Sequence, residues 1–550
     1  MDTRRLILVL IFTFSSFMLW ENWQKYNQPK LPAAAETMTP AGAAPKPSVA
    51  LQAGKTADGM PVVSAASAVS TAETFTITTD LLKATISSQG GDLVHLELNK
   101  YKEHDNKDKN FVLFDAKHQY VAQSGLIGEG LPSHRSVFKR VAGPTELADG
   151  TNELKVRLET TTQNAIKVTK ILTFKRNSYL VDVAWEIANG SDKAFAPHAY
   201  FQLQRDDVAP EGESKMVSTF TGPAVYTEAE KYQKVDFGDV AKEKAKFAKT
   251  ADNGWLGMIQ HYFVAAWVPQ DKTPREFYMR KLENSNAFQA GVIVPVAEIA
   301  PGTKGEASVS LYAGPQEQAT LKQIAQGLDL VVDYGWLTMV AAPIFWALQA
   351  IHSLVGNWGW AIIVLTIIIK GIFYPLSAAS YKSMAKMKIL TPRLMQMKER
   401  FGDDKARLNQ EMMKMYQTEK VNPLGGCLPI LVQIPVFISL YWVLLGAVEM
   451  RDAPWILWIH DLASADPFYI LPVIMMISMF VQTKLNPTPP DPIQAKVMMM
   501  MPLIFGFMFF WFPAGLVLYW VVNNVLSIAQ QWQITRMIET GGKAANDAKA

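Results

Sequence analysis

The residue whose placement most needs a chemical explanation is Lys370, inside the apolar stretch WAIIVLTIIIKGIFYPL at 360–376. A lone ammonium in hydrocarbon costs about 2.5–3.5 kcal/mol on insertion scales, so something must solvate it. Counting from Trp360 at 1.5 Å per residue, Lys370 lies roughly 15 Å down a helix, near mid-bilayer. Polar side chains recur at similar depth in other apolar runs: Gln433, Asn523 and Asn524, with Gln530 and Gln531 beyond them. Thr366 stands four residues before the lysine, on the same helical face. No Asp or Glu occurs at that depth, so neutral polar groups and water are expected around the cation. Two arrangements fit. Gln433 and Asn523 could hold the amine as interhelical glue. Alternatively, a wet, positively charged cavity could ease a polar, often acidic, peptide segment into the membrane. The second is expected, open on the side where the run passes Leu376 into a basic segment. The opposite halves of the runs, AIIVLTIII, FISLYWVLLG and AGLVLYWV, carry almost no charge, so the cavity is expected to stop partway rather than form a pore.

Covalent chemistry has little to stand on. The eight histidines are scattered without an HExxH or other metal-ligand spacing, and the single cysteine, Cys427, excludes an intramolecular disulfide or a cysteine zinc site. Cys427 also lacks a histidine nearby in sequence to make it a nucleophile. There is no GxxxxGK[ST] loop and no strand-linked GxGxxG. No catalytic residue, cofactor or metal is expected, and no nucleic-acid specificity.

The elements that must position Lys370 fill only part of the chain. Of 550 residues 49% are hydrophobic, and the mean hydropathy of +0.05 averages two unlike parts. Residues 1–24 contain Arg4, Arg5 and an apolar run from Leu6 to Trp20, which fits a signal peptide or an uncleaved anchor. The run ends in Trp20, Glu21, Asn22 and Trp23, and the first small-residue cluster, Ala33–Ala35, is far downstream, which favours the anchor. Residues 25–72, rich in Pro, Ala, Ser and Thr, read as a flexible tether. From 73 to 333 short alternating segments such as TFTITTDLLKATIS, NELKVRLET and YLVDVAWEIAN, broken by turns such as Gly90-Gly91, predict a large antiparallel β-sandwich. The acidic run Glu211–Glu213 reads as solvated surface. A short helix is expected over 315–328. Residues 334–357 are interrupted by Pro343 and fit an interfacial helix.

Apolar spans are expected at about 358–376, 424–448, 468–483, 495–512 and 515–533, six with the anchor. Charge supports that count independently. The segment 380–423 holds ten Lys and Arg residues from Lys382 to Lys420, whereas 449–467 has Arg451 against Glu449, Asp452, Asp461 and Asp466. With the N-terminus inside, every loop obeys the positive-inside rule. The basic segment reads as two helices joined at Phe401-Gly402, with Asp403 as N-cap. Met384, Met387, Leu394 and Met397 on one helix face Leu408, Met412, Met415 and Tyr416 on the other. This is expected to be a hairpin seam, with a peptide-binding surface as the alternative.

The collinear blocks SYKSMAKM, GDDKARLNQEMMKMYQTEKVNPLGGCLPILVQIPVF, ILWIHDLASADPFYILP and WFPAGLVLYWVVNN resemble the YidC family of bacterial membrane protein insertases, whose wider family is shared with mitochondria and chloroplasts. The anchor and large β-domain resemble its Gram-negative form. The resemblance implies a five-helix core at 358–534, including the cytoplasmic hairpin 380–423, and a periplasmic β-supersandwich of the sugar-mutarotase type. A short cytoplasmic tail, 535–550, would follow. It implies an inner-membrane insertase and folding chaperone, working alone or with the Sec translocon. Its groove would be open to cytoplasm and lipid and closed outward. Lys370 matches the groove's positive residue, commonly arginine in the family, so the charge is kept and the bidentate grip on a carboxylate is not. Thr366 and Trp520 match positions that touch a passing segment, Trp520 being often tyrosine, with Tyr519 adjacent. Implied partners are nascent membrane proteins such as the ATP synthase proteolipid, membrane lipids, and a ribosome or targeting receptor at the hairpin. A secondary transporter of a small anionic solute is the alternative. Against it, no second copy of the Lys370 segment is found.

Overall fold

The computed structural model describes residues 72–103, 106–210, 219–283, 285–401, 404–419, 428–486 and 492–547. The expected anchor, the tether up to residue 71, Glu211–Glu213, Asp403 and Cys427 lie outside them. The described residues fall into two compact units, one of 72–333 with 446–449 and the other of 334–445 with 450–547.

The first unit consists of two antiparallel nine-stranded sheets packed face to face. One sheet runs in the order Thr74–Thr78, Leu82–Ser87, Leu93–Lys102, Val121–Ile127, His198–Asp206, Ala287–Pro295, Arg275–Lys281 and Thr250–Ala251, with Asn110–Phe114 beside Leu93–Lys102. The other runs Lys231–Lys234, Gly222–Thr227, Trp255–Gln260, Phe263–Val268, Lys304–Pro315, Leu180–Asn189, Ile166–Lys175, Glu153–Thr161 and Lys139–Arg140. Period-two patterning builds these strands: in Leu180–Asn189 the side chains of Val181, Val183, Trp185 and Ile187 are buried while Asp182, Ala184 and Glu186 point away. Phe201 meets Trp267 across the interface with ring centroids 5.2 Å apart. The turn expected at Gly90 needs glycine, because φ is +71° and a Cβ would sit 2.4 Å from the His134 carbonyl oxygen. Two short helices, α1 (Phe237–Ala241) and α2 (Gln318–Ile324), flank the sheets.

The second unit is helical: α3 (Thr338–Val355), α4 (Trp358–Ile372), α5 (Tyr374–Phe401), α6 (Lys405–Thr418), α7 (Leu428–Gly446), α8 (Ile470–Leu485), α9 (Pro492–Met508) and α10 (Ala514–Asp547). Helix α3 is unbroken, contrary to the interruption expected at Pro343, and is long and apolar enough to cross a membrane. Pro343 removes only the bond to the carbonyl of Met339, a residue 87% exposed, so one turn loses a bond without ending the helix. Conversely, the run expected to continue straight to Leu376 bends by 67° between α4 and α5. Pro375 explains the bend. Its ring cannot donate to the Gly371 carbonyl and crowds it, and regular bonding resumes with the Ser377 amide donating to Phe373 at 3.0 Å. Helix α10 runs on to Asp547 through the expected tail, since no proline interrupts it. The α5–α6 pair forms the hairpin. Leu394 is buried and the other expected seam residues are at least half-buried, whereas Met395 and Met413 face outward. The cap of α6 is Asp404, one residue after the expected Asp403, its carboxylate accepting from the Arg407 amide at 3.0 Å.

The loop at 450–469 fastens the ends of three helices. Asn357 caps α4, accepting from the Trp360 amide at 3.2 Å and donating to the Pro454 carbonyl at 2.9 Å. The amides of Ala514 and Gly515 donate to the carbonyls of Ser464 and Leu462 at the start of α10. Buried Asp466 accepts from the indole of Trp458 (3.0 Å) and the amides of Phe468 (3.0 Å) and Leu471 (2.7 Å) at the start of α8. An acidic residue counted above as topological charge is thus also a structural acceptor. Asp466→Ala strands three donors and is expected to lower the unfolding free energy by ~2 kcal/mol or more, seen as a lower midpoint for detergent-solubilised protein, with Asp466→Asn intermediate.

Candidate functional site

Three helices each turn a face with spacing i, i+3, i+4, i+7 toward one cavity of about 350 Å³. From α5 come Ser377, Ser380, Tyr381 and Met384, from α8 and its C-cap Met479, Gln482, Thr483 and Asn486, and from α10 Trp520, Asn523, Asn524 and Ser527. Helix α4 adds Lys370, α7 adds Gln433, Ile434 and Phe437, and Tyr519 joins from α10. The bend at Phe373 is what lets α5 wall the cavity: a straight helix would carry Ser377 and Ser380 away from it.

The Lys370 side chain is 6% exposed, and its Nζ donates to Ser527 Oγ at 2.7 Å. Ser527 in turn donates to the Asn523 carbonyl at 2.7 Å. Among the described residues no carboxylate lies within 4 Å of the amine. The alternative arrangement, with Gln433 and Asn523 gripping the lysine, is not what forms. Gln433 Nε2 donates instead to Asn523 Oδ1 and, at 3.4 Å, to the Tyr519 hydroxyl. Trp520 packs on Phe437 and Phe509, with centroids 4.4 and 5.1 Å away. Thr366 does not line the cavity: it is buried, and its hydroxyl donates to the Ile362 carbonyl at 2.7 Å. Two further amide bonds hold α10 to α8, from Asn524 to Ser478 and from Gln531 to Asn486, each 3.1 Å.

Ser527 and the α5 face were missed by sequence reasoning. Ser527 was within reach, being four residues after Asn523 on the same helical face, but a lone serine in a polar-tolerant helix end carries no distinctive signal. The α5 face is invisible without the bend. Toward the Trp360 end the same helices bury an apolar layer of Ile362, Leu365, Leu440, Val443, Leu444, Leu516 and Val517, none of which lines the cavity. Above this layer Gly359 meets Trp455 so closely that a Cβ would lie 2.2 Å from the indole. The arrangement has a cation, neutral hydrogen-bonding groups and apolar walls, which can solvate a polar chain segment but offers no nucleophile paired with a base.

Residues 74–347 match the family described as the YidC periplasmic domain, and residues 350–541 match the family described as the 60Kd inner membrane protein. Over 551 aligned residues spanning all of both chains, the sequence is 82% identical to the membrane protein insertase YidC of Dechloromonas aromatica. The chain belongs to the YidC family of membrane protein insertases. It is also 60% identical, again over the full length of both chains, to the YidC insertase of Aromatoleum aromaticum. A crystal structure described as an active YidC insertase with its first transmembrane domain resolved is 20% identical, over 84% of this chain and 92% of that one, with a TM-score of 0.39. As a family member the protein inserts nascent proteins into the inner membrane, carries the β-sheet unit as a periplasmic domain, and does so without catalysing covalent chemistry.

Proposed function

We propose that the cavity around Lys370 is the entry site for the segment being inserted, open to the cytoplasm and closed toward the periplasm. In this topology the anchor at 1–24 and five core spans place both termini and the α5–α6 hairpin inside. The segment 334–357, which contains helix α3, lies in the outer interface. The observation that carries the proposal is the Lys370 ammonium held in a polar cavity without a carboxylate partner among the described residues, under an apolar layer at its other end. The lining supports the direction of opening, since the cavity extends along α5 and the end of α8, the ends that carry Lys382, Lys386 and Lys484.

A nascent segment meets the basic hairpin, its short polar flank enters the cavity near Lys370, and its apolar length leaves between α4 and α7. A narrow cleft lined by Ile369, Lys370, Phe373, Leu376, Ser377, Gln433 and Val436 supports that exit. Burying each large aliphatic side chain in lipid contributes ~1.5–3 kcal/mol, enough for a 20-residue segment to move without nucleotide. Gln433, Asn523, Tyr519 and Trp520 supply the polar and aromatic slide. The hairpin is the contact for a ribosome or targeting receptor, and the same lateral exit suits work beside the Sec translocon as a folding helper.

Cysteine scanning tests this directly, because Cys427→Ser removes the one native thiol. In inverted membrane vesicles, cysteines at Ser380 and Gln433 are expected to react with a charged maleimide from the cytoplasmic face, and cysteines at Leu440 and Leu516 from neither face. A dry position 433, or labelling at 440 from the periplasmic side, overturns the proposal.

A further inference from the structure

The ammonium in the cavity is not free to wander, and one side chain accounts for it. Lysine has four rotatable bonds, and in a membrane such a side chain tends to extend toward the nearest aqueous face. Here Nζ is bonded to Ser527 Oγ at 2.7 Å. Ser527 is 3% exposed and its own proton goes to the Asn523 carbonyl, so its oxygen is left as an acceptor aimed at the amine. Tyr381, from α5, lines the same cavity. The Ser527 hydroxyl therefore ties α4, through Lys370, to α10.

We propose that Ser527, oriented by the Asn523 carbonyl, is a positioning residue that holds the Lys370 ammonium over the cavity, and that this confers preference for segments with carboxylate-bearing flanks. The proposal rests on the insertion route given above. An ammonium has three donors, and Ser527 takes one. The others stay available to an entering carboxylate at a fixed depth, so the acidic flank finds its counter-charge where the cavity walls have already displaced bulk water. Without the serine hydroxyl the amine swings toward the cytoplasmic mouth, and an acidic flank loses that fixed partner. A neutral flank makes no use of the ammonium and is unaffected. This role explains why a lysine suffices at a position where a guanidinium would fix itself by several bonds: the orientation comes from the receiving wall.

The test uses the full-length protein in proteoliposomes with two versions of one short single-span proteolipid, differing only by Asp or Asn in the translocated flank. The measured quantity is the ratio of Asp-flank to Asn-flank insertion. Ser527→Ala is expected to lower this ratio about fivefold, the factor corresponding to one hydrogen bond of ~1 kcal/mol. Ser527→Thr, which keeps the hydroxyl, is expected to keep the unaltered protein's ratio. On a Lys370→Ala background Ser527→Ala is expected to change the ratio no further, since it acts only through the amine. An S527A protein that inserts both substrates equally poorly has a structural defect only and overturns the proposal, as does an unchanged ratio. If S527A does not accumulate, Ser527→Cys decides, since it keeps the side chain's size and replaces the oxygen by a weak acceptor: a lowered ratio is expected and an unchanged one overturns the proposal. Failure of the insertion route itself is distinguishable, because Lys370→Ala alone would then leave the ratio unchanged.

Discussion

Lys370→Ala is expected to reduce insertion of segments with an acidic translocated flank by tenfold or more while neutral-flanked segments lose little and the protein still accumulates. A carboxylate and an ammonium 4 Å apart attract by ~4 kcal/mol at an effective dielectric of 20, and desolvation of both offsets much of that. If about a third survives, the rate changes about tenfold. Accumulation is expected because the lysine contributes little to holding the helices together. Its bond is to Ser527, whereas α10 is fastened to α7 through Gln433 and Asn523, and to α8 through Ser478 and Asn486. Lys370→Arg should be mild, since the charge remains and the guanidinium supplies its own fork of donors. Equal insertion of acidic and neutral segments by the alanine variant would remove the charge from the mechanism. Pulse-labelled insertion in cells depleted of the native protein measures it.

The second large effect is on the periplasmic domain. Lys170 and Asp92 face each other inside the sandwich with Nζ 3.6 Å from Oδ1, both nearly inaccessible. Lys170 also donates to the Gly90 carbonyl at 2.9 Å and lies 5.2 Å over the Trp185 ring, while Gln123 donates to Asp92 Oδ2 at 3.1 Å. Burial pushes the Asp92 carboxyl up to about 7 against the opposing pull of the Lys170 charge, and burial pushes the Lys170 amine down. Lys170→Met leaves a buried carboxylate without its cation and is expected to cost ~3–5 kcal/mol at pH 8. The loss should shrink on acidification. With its lysine gone Asp92 keeps the burial that raises it, so the native state holds a proton that the unfolded chain releases near pH 4. Stability therefore falls as pH rises through that interval and recovers as pH drops from 8 to 5. Asp92→Asn combined with Lys170→Met should regain most of the stability at pH 8. Urea midpoints of the full-length protein, read by pulse proteolysis within 153–175, report each value. A variant equally unstable at both pH values would show that the carboxylate is not the cause.

Much of the molecule was legible in its sequence, for physical reasons that differ between the two units. Alternation in segments such as Leu180–Asn189 is a local consequence of one face meeting a core, so strands and turns can be read residue by residue. The order of eighteen strands in two sheets cannot, because Leu180–Asn189 pairs with Lys304–Pro315, more than a hundred residues away, and nothing local encodes that distance. In the helical unit the lysine, Gln433 and Asn523 stand out because polar groups in apolar runs are costly, Tyr519 and Trp520 were implied by the family resemblance, and all five line the cavity. The sequence by itself determined that a cation sits among neutral partners at depth, since desolvation makes that anomaly visible without coordinates. Which partner holds it, Ser527 rather than Gln433 or Asn523, and which wall completes the cavity, α5 after its bend at Pro375, were decided only by tertiary structure. A hydrogen bond between residues 157 positions apart depends on ångström-scale helix placement that residue type and spacing do not specify.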